Sequence, residues 1–200
     1  EPKTLRNIHA ALRAALADAV ALKYIKYNPA AAIKAPRLER NQRPVWTPAQ
    51  TRAFLRVLPS ARLEALFMLD LTTGIRRGQL CGLRWPNVNL DRGTITLSNS
   101  RIVLHGRTSE KPGGKTANAD KTIAIDSRTV AALRRWRTEQ DEIRLLRGPD
   151  YEGEDLIFTN EFGRPLHPQN LVDLIEKYAA EAGVPRITFH DLRHTYATAA

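Results

Sequence analysis

The chain has 200 residues, of which 31 are lysine or arginine and 21 are aspartate or glutamate, so its formal charge is +10 at neutral pH. Such a surplus favours polyanionic partners. The length permits one full domain and part of another, and no apolar run approaches the roughly 18 residues of a membrane helix. No secretory signal is visible, and we expect a cytoplasmic protein. The single cysteine, Cys81, excludes a disulfide framework and indicates a small buried side chain.

Arginine dominates the positive charge, with 23 arginines against 8 lysines. The planar guanidinium donates two parallel hydrogen bonds to a phosphate, which favours a phosphate-binding role. The same bias also follows from genome base composition. Charge therefore indicates a class of partner and no mechanism.

The first part of the chain predicts one helix followed by a linker. Apolar residues recur at helical spacing from Thr4, and the pattern stops at Asn28-Pro29. One helix cannot close a core, so we expect 1–34 to be the C-terminal part of a helical domain whose upstream part is missing. The polar stretch 35–46 contains two prolines and predicts an extended linker.

The second predicted domain, 47–200, is mainly helical (α+β) with a small, three-stranded antiparallel sheet. Capping and stop signals predict helices over 47–58, 60–74, 76–83, 126–146, 168–181 and from 188 onward. Alternating patterns predict strands over 94–97, 101–104 and 122–125, with a long loop over 105–120. No stop signal follows the last helix, so we expect this domain to be incomplete at its C-terminus.

Two histidines and an arginine share one face of the last predicted helix. His190, Arg193 and His194 stand at positions i, i+3 and i+4. Such a face needs a polar or anionic partner, although a histidine satisfied within the fold is the plainer interpretation of His194. Zinc ligation by His190 and His194 is an alternative, because two histidines at this spacing resemble a metalloprotease motif. Arg193 in the same turn and the short acid Asp191 disfavour a cation there.

A second interpretation joins this face to two distant cationic residues. Arg76 follows Gly74 at a predicted helix start, and Lys115 precedes a predicted strand. Two guanidiniums can offset the negative charge that develops at a phosphodiester during displacement, and Lys115 and His190 can move protons beside it. Such a phosphoryl-transfer site needs no metal. An ordinary surface arginine remains the alternative for Arg76.

These clusters carry a family resemblance. The chain resembles a tyrosine recombinase of the phage integrase type over nearly its whole length. Thr73-Gly74-Ile75-Arg76 with Leu83-Arg84-Trp85 is similar to the family's first arginine box, and Lys115-Thr116 to its hairpin lysine. The closest match is the histidine and second arginine box, His190-Asp191-Leu192-Arg193-His194-Thr195.

The resemblance implies the catalytic fold of DNA breaking-rejoining enzymes, preceded by the remnant of a core-binding domain. Strand exchange would pass through a covalent DNA 3′-phosphotyrosine intermediate, with no cofactor and no metal. Its partners would be duplex DNA at attachment sites and further copies of the chain, with no membrane. Carried over residue by residue, the catalytic set is Arg76, Lys115, His190 and Arg193. Supporting roles fall to Gln79, Asp191 and His194, and DNA contacts to Arg43, Arg77, Arg84 and Lys111.

Two departures from the family pattern change the expected activity. Gln79 stands where the family usually has an acid that braces the first arginine, so we expect neutral hydrogen bonds there. The chain ends seven residues after Arg193, before the family's nucleophilic tyrosine. No matching context surrounds any tyrosine of the chain, namely Tyr24, Tyr27, Tyr151, Tyr178 and Tyr196. We expect this chain to bind DNA without cleaving it; a non-catalytic DNA-binding module with the same fold is the alternative.

Overall fold

The computed structural model describes residues 2–37, 44–97, 99–104, 107–112, 121–153 and 155–199. For 99–104, 107–112 and 196–199 the description concerns the backbone. The chain divides into two compact units, Glu1–Gln42 and Arg43–Ala200. Within the described ranges, no helix is long and apolar enough to cross a membrane.

The first unit contains one long helix, α1 (Pro2–Ala21). The prediction that its pattern continues to Asn28 was wrong, because Lys23 adopts a left-handed backbone conformation with φ 60° and turns the chain. The Asn28 side chain then donates to the Arg13 carbonyl at 2.9 Å and accepts from the Ala30 N–H at 2.9 Å, which starts a 3₁₀ turn over Pro29–Ala31. The chain therefore reverses after α1 instead of continuing the helix to Asn28.

Six helices form most of the second unit, and their ends carry the predicted signals. Thr47 and Gln50 form a reciprocal capping box at the first of them, Ser60 caps the second, and Asp126 accepts two backbone N–H bonds at the fourth. These local predictions are confirmed. The helices are α2 (Pro48–Arg56), α3 (Ala61–Thr73), α4 (Arg77–Cys81), α5 (Ser127–Arg147), α6 (Pro168–Glu181) and α7 (Phe189–Ala199), with 3₁₀ turns at Trp85–Asn87 and Gly148–Asp150.

The small antiparallel sheet has three strands, as predicted, but one of them differs. It is built from β1 (Val88–Asn89), β2 (Thr94–Leu97) and β5 (Lys121–Ala124), with β2 in the centre. The predicted strand 101–104 does not join it: β3 (Asn99–Leu104) pairs instead with β4 (Arg107–Pro112), inside the predicted loop. A local hairpin partner closes a shorter loop than a distant strand does, which favours this pairing.

Helix α3 is the centre of the hydrophobic core. Its residues Leu66, Phe67 and Leu69 are completely buried, and it packs against α5 and α7. The Phe67 ring meets the Phe54 ring edge to face, with centroids 5.0 Å apart. Cys81 is 1% exposed, which confirms the prediction of a buried small side chain. α3 therefore positions α5 and α7 around the core.

Trp46, which the sequence places in the linker, is a core residue of the second unit. Its ring is 4% exposed and lies 4.8 Å from the Phe54 ring, measured between centroids. The indole N–H donates to the Pro185 carbonyl at 2.8 Å, and the backbone N–H donates to the Thr195 hydroxyl at 3.2 Å. Trp46 thereby connects the start of this unit to α7.

Candidate phosphate-binding site

A sharp turn between α3 and α4 forms one side of the candidate site. The Gly74 N–H donates to the Asp70 carbonyl at 2.7 Å and closes α3. Gly74 itself is left-handed, with φ 57°, a conformation that favours glycine. Arg76 follows as the extended residue before α4. Residues 74–76, which we call the elbow, therefore present the Gly74 carbonyl and the exposed Arg76 side chain one after the other.

The start of α7 forms the other side, and hydrogen bonds and packing hold it in place. The Asp191 carboxylate accepts from the Thr188 N–H at 2.9 Å and from its hydroxyl at 2.6 Å, which caps the helix. Phe189 and Leu192 are buried in the core, at 5% and 0% exposure. These contacts orient the next residue, Arg193, toward the elbow.

Arg193 meets the elbow directly. Its Nη1 donates a short hydrogen bond to the Gly74 carbonyl, across 119 residues of sequence. Arg193 as a whole is half-buried. Arg193, the second predicted arginine, therefore contacts Gly74, which precedes the first predicted arginine, Arg76, by two positions in the chain.

His190 and His194 flank Arg193 on the same helix. His190 is exposed and His194 half-buried, and their rings meet edge to face with centroids 5.0 Å apart. In the part of the chain that the structure describes, no group of three or more histidine, cysteine or acidic residues could hold a metal ion. The zinc alternative therefore lacks a third ligand among those residues.

The remaining predicted residues have mixed positions. Arg77 is the first residue of α4 and is half-buried. Arg84 is also half-buried, and its backbone forms an isolated bridge with Leu156. Lys111 lies in β4, where only the backbone is described. Lys115 and Arg43 lie outside the described residues, so their predicted roles stay predictions.

Gln79 acts on the elbow backbone. Its Oε1 accepts the Arg76 N–H at 3.3 Å, so a neutral side chain helps to fix the residue that carries the first arginine. This contact involves the Arg76 backbone, so the expectation that neutral hydrogen bonds brace the arginine itself stays a prediction. It leaves the guanidinium of Arg76 without the family's usual acidic neighbour at position 79.

One acidic residue near the site was missed by the sequence analysis. Asp70, in the last turn of α3, is completely buried, and among the described residues neither carboxyl oxygen has a hydrogen-bond partner. Burial raises the pKa of Asp70 well above its ordinary value, and the positive charge of Arg193 acts in the opposite direction. The signal in the sequence was an acid one helical turn after Leu66 in an apolar stretch, at a position facing the core.

The sequence model of the phage integrase family matches residues 45–199. The match covers most of the chain, including the elbow and α7. The chain therefore belongs to the phage integrase family, and the fold is that of tyrosine recombinase catalytic domains.

Particular relatives fit this class. A XerC-like tyrosine recombinase of Caldanaerobacter subterraneus subsp. tengcongensis is 32% identical over 154 residues, which is 70% of this chain and 39% of the relative. The ICEBs1 integrase of Bacillus subtilis is 24% identical over 196 residues, which is 97% of this chain and 53% of the relative. The chain thus spans about half or less of the length of these relatives.

Solved structures show the same fold. The Tn1549 transposon integrase, in complex with a circular intermediate DNA, aligns with a TM-score of 0.79 at 19% identity, over 98% of this chain and 66% of that one. A lambda integrase dimer bound to a COC′ core site aligns with a TM-score of 0.61 at 19% identity, over 96% and 64% of the two chains.

Proposed function

We propose that this chain is part of a site-specific DNA recombinase and that its second unit binds a phosphodiester of duplex DNA at the elbow. The observation that carries the proposal is the hydrogen bond from Arg193 to the Gly74 carbonyl. It places one guanidinium at the backbone turn that carries another, Arg76. Relatives described as integrases of a transposon and of ICEBs1 support a role in the integration of mobile DNA.

The proposed chemistry depends on two guanidinium groups, those of Arg76 and Arg193, at one phosphodiester. In a transesterification, a tyrosine oxygen attacks phosphorus, the bond to the 5′ oxygen breaks, and that oxygen leaves with a proton. Arg76 and Arg193 would hold the non-bridging oxygens, where negative charge develops. His190, exposed one turn before Arg193, would assist proton transfer at the nucleophile. Lys115 would protonate the leaving oxygen.

Duplex DNA at attachment sites is the proposed partner, with several copies of the chain assembled on it. The formal charge of +10 fits a polyanion. The structures that share the fold include a lambda integrase dimer on a core site and a lambda integrase tetramer on a Holliday junction. No cofactor is required, because transesterification conserves the energy of the phosphodiester bond.

We infer that the 200-residue chain binds DNA without forming the covalent intermediate. Two of its tyrosines, Tyr24 and Tyr27, belong to the first unit. The Tyr151 hydroxyl is engaged with Gln140 at 3.1 Å and with Thr159 at 3.3 Å, and Tyr178 is 6% exposed in the core. The surroundings of Tyr151 and Tyr178 are typical of packing tyrosines. The Tyr196 side chain lies outside the described part.

The first experiment measures DNA affinity. A preferred duplex is selected from a random pool, and binding is followed by fluorescence anisotropy at increasing salt. Because phosphate contacts release counterions, affinity should fall steeply with salt, and Arg76→Ala and Arg193→Ala should each weaken it about tenfold or more. Arg186→Ala, which removes an exposed arginine paired with Glu176, is the matched control. Equal effects of all three variants, or a flat salt profile, would contradict the proposed site.

The second experiment separates a catalytic unit from a DNA-binding module with the same fold. Hydrogen peroxide is supplied as an external nucleophile to the bound duplex, so that a peroxide oxygen attacks phosphorus and the 5′ oxygen leaves. Cleavage at one position, lost in Arg76→Ala and Arg193→Ala at saturating protein, supports a phosphoryl-transfer site. Full binding with no cleavage favours the non-catalytic module.

A further inference from the structure

We propose that His194 is a positioning residue for His190: its imidazole ring lies against the His190 ring and holds that ring in one orientation on α7. The proposal rests on the proposed function, because it gives His194 an effect on proton transfer that passes through His190. The family resemblance implies a supporting role for His194, and the contact between the two rings identifies what it supports.

The contact between the rings has a defined geometry. The ring centroids of His190 and His194 are 5.0 Å apart, and the ring planes stand at 88° to each other. This separation and angle are those of a favourable edge-to-face pair of aromatic rings. A spacing of four residues on a helix brings side chains onto the same face, one above the other. The edge of one ring therefore meets the face of the other, and a change of rotamer in either residue breaks the contact.

The two histidines differ in exposure, which indicates which of them supports the other. His190 is exposed, whereas His194 is half-buried. Next to His194, Thr195 is buried, and its hydroxyl donates to the Asp191 carbonyl at 3.1 Å and accepts from the Trp46 N–H at 3.2 Å. These bonds hold the turn of α7 that carries His194. The His194 ring therefore has the firmer base of the two.

A proton-transfer group needs such support. A general base acts when its nitrogen lies within about 2.6–3.2 Å of the atom that gives up the proton, so its ring must point in one direction. On a helix, an imidazole has about two χ1 wells with two ring orientations in each, so about four orientations in all. Restriction to the productive one raises the aligned fraction of His190 about fourfold.

The position of the pair favours a role at the bound phosphate. Arg193, which precedes His194 on α7, donates to the Gly74 carbonyl at the elbow. His190 stands three residues before Arg193, a spacing that puts both side chains on one face of the helix. A phosphate bound by Arg193 would therefore lie on the face that carries the His190 ring.

Two simpler roles for His194 predict different measurements. If the ring only packs, its loss lowers stability and leaves the cleavage rate of the folded protein on saturated DNA unchanged. If the ring binds DNA directly, its loss weakens affinity. A positioning role instead lowers the rate at saturation while affinity stays constant, because the arginines supply the phosphate contacts.

The first test uses the full 200-residue chain, the selected duplex and hydrogen peroxide as the nucleophile. His194→Ala should lower the cleavage rate at saturating protein about threefold to fivefold, and DNA affinity should stay within about twofold. His194→Phe keeps a flat ring at the same position and should restore most of the rate, although phenylalanine neither accepts nor donates a proton. A native rate in His194→Ala, or a loss that His194→Phe does not restore, overturns the inference.

His9→Ala is the matched control for the loss of a histidine. His9 lies in α1 of the first unit, away from the residues assigned to the site. This variant should cleave at the native rate, so a loss in His194→Ala is specific to α7.

A double-mutant cycle assigns the effect to His190. His190→Ala should lower the rate by more than His194→Ala does, and the double variant should be no slower than His190→Ala alone. Additive losses would show that His194 acts independently of His190, which is contrary to the inference.

Side-chain NMR tests the orientation without DNA and without cleavage. Relaxation of the labelled His190 ring should show faster motion in His194→Ala than in the native chain, and native-like motion in His194→Phe. Equal motion in all three proteins overturns the inference and leaves the proposed function standing.

Two other outcomes also decide the matter. If the native chain binds the duplex but peroxide does not cleave it, the catalytic part of the proposed function fails and the inference fails with it. If circular dichroism shows that both His194 variants are unfolded, the residue is required by the fold, and its assignment as a positioning residue is wrong.

Discussion

Two buried aspartates flank the candidate site, and their surroundings are opposite. At the start of α7, Asp191 is 7% exposed, and its carboxylate accepts both the N–H and the hydroxyl of Thr188. At the end of α3, Asp70 is 0% exposed and has no hydrogen-bond partner among the described residues. The difference teaches that burial alone does not define the role of an acid. The hydrogen-bonded acid caps a helix, whereas burial raises the pKa of the unbonded acid and the positive charge of Arg193 acts against that rise.

The largest effect should come from the contact that holds α7 in place. Trp46→Ala removes a buried indole and its hydrogen bond to the Pro185 carbonyl, and should lower the free energy of unfolding by about 3–5 kcal/mol. Trp46→Phe keeps a ring against Phe54 and should lose only about 1 kcal/mol. Urea unfolding measures both. If both variants lost the same free energy of unfolding, the packing of an aromatic ring at position 46 would contribute nothing to stability.

Removing the satisfied aspartate should come next. Asp191→Ala leaves the Thr188 N–H and hydroxyl without their partner and should cost about 1–3 kcal/mol of stability. Asp191→Asn keeps one carbonyl oxygen and should cost less. Thermal unfolding followed by circular dichroism compares the two. No loss in either variant would contradict the contrast between the two acids.

The elbow glycine should show a smaller effect on stability and a separate effect on DNA. Gly74→Ala forces a side chain into a left-handed conformation, at a cost of about 1–2 kcal/mol. Gly183→Ala is matched, because Gly183 has φ 65° and open space around its Cβ position. Both should lose similar stability, but only Gly74→Ala should weaken DNA binding, since the Gly74 carbonyl receives Arg193. If the Gly74→Ala and Gly183→Ala variants bound DNA with equal affinity, the elbow would not be part of the DNA-binding site.

The smallest change at neutral pH should come from the unbonded aspartate. Burial raises the pKa of Asp70 in the folded chain, so the folded state binds more protons than the unfolded state above an aspartate's ordinary pKa of about 3.9. The stability from this group is present below that pKa and is lost as pH rises through the folded pKa.

Asp70→Leu should therefore stay within about 1 kcal/mol of the native protein in acid and become the more stable of the two at higher pH. Urea midpoints measured from pH 4 to 9 test this. Parallel pH profiles would mean that Asp70 is not titrating in a buried site.

The sequence predicted what is local. Thr47, Ser60, Gly74 and Asp126 all mark helix ends as expected, because a cap depends on residues within one turn. The stop at Asn28 was wrong, since the left-handed Lys23 has no strong signal in the sequence. Local sequence patterns therefore predict helix boundaries better than they predict chain reversals.

Non-local features were predicted less well. The strand 99–104 pairs with 107–112 rather than with the sheet, and alternation identifies a strand without naming its partner. For the site, the family motifs pointed to Arg76 and Arg193, and the fold brings their segments together. The burial of Asp70 was not predicted, because burial depends on what surrounds a residue in three dimensions.

The bond between the Trp46 backbone and the Thr195 hydroxyl has a practical consequence. The segment just before α2 is hydrogen-bonded to α7 through Trp46 and Thr195, even though its sequence is typical of a linker. A protease that cuts after Trp46 would break this connection and loosen the helix that bears Arg193. After limited proteolysis, the DNA affinity of the products should therefore be measured along with the domain boundaries. Any shortened version of the second unit should begin upstream of Trp46.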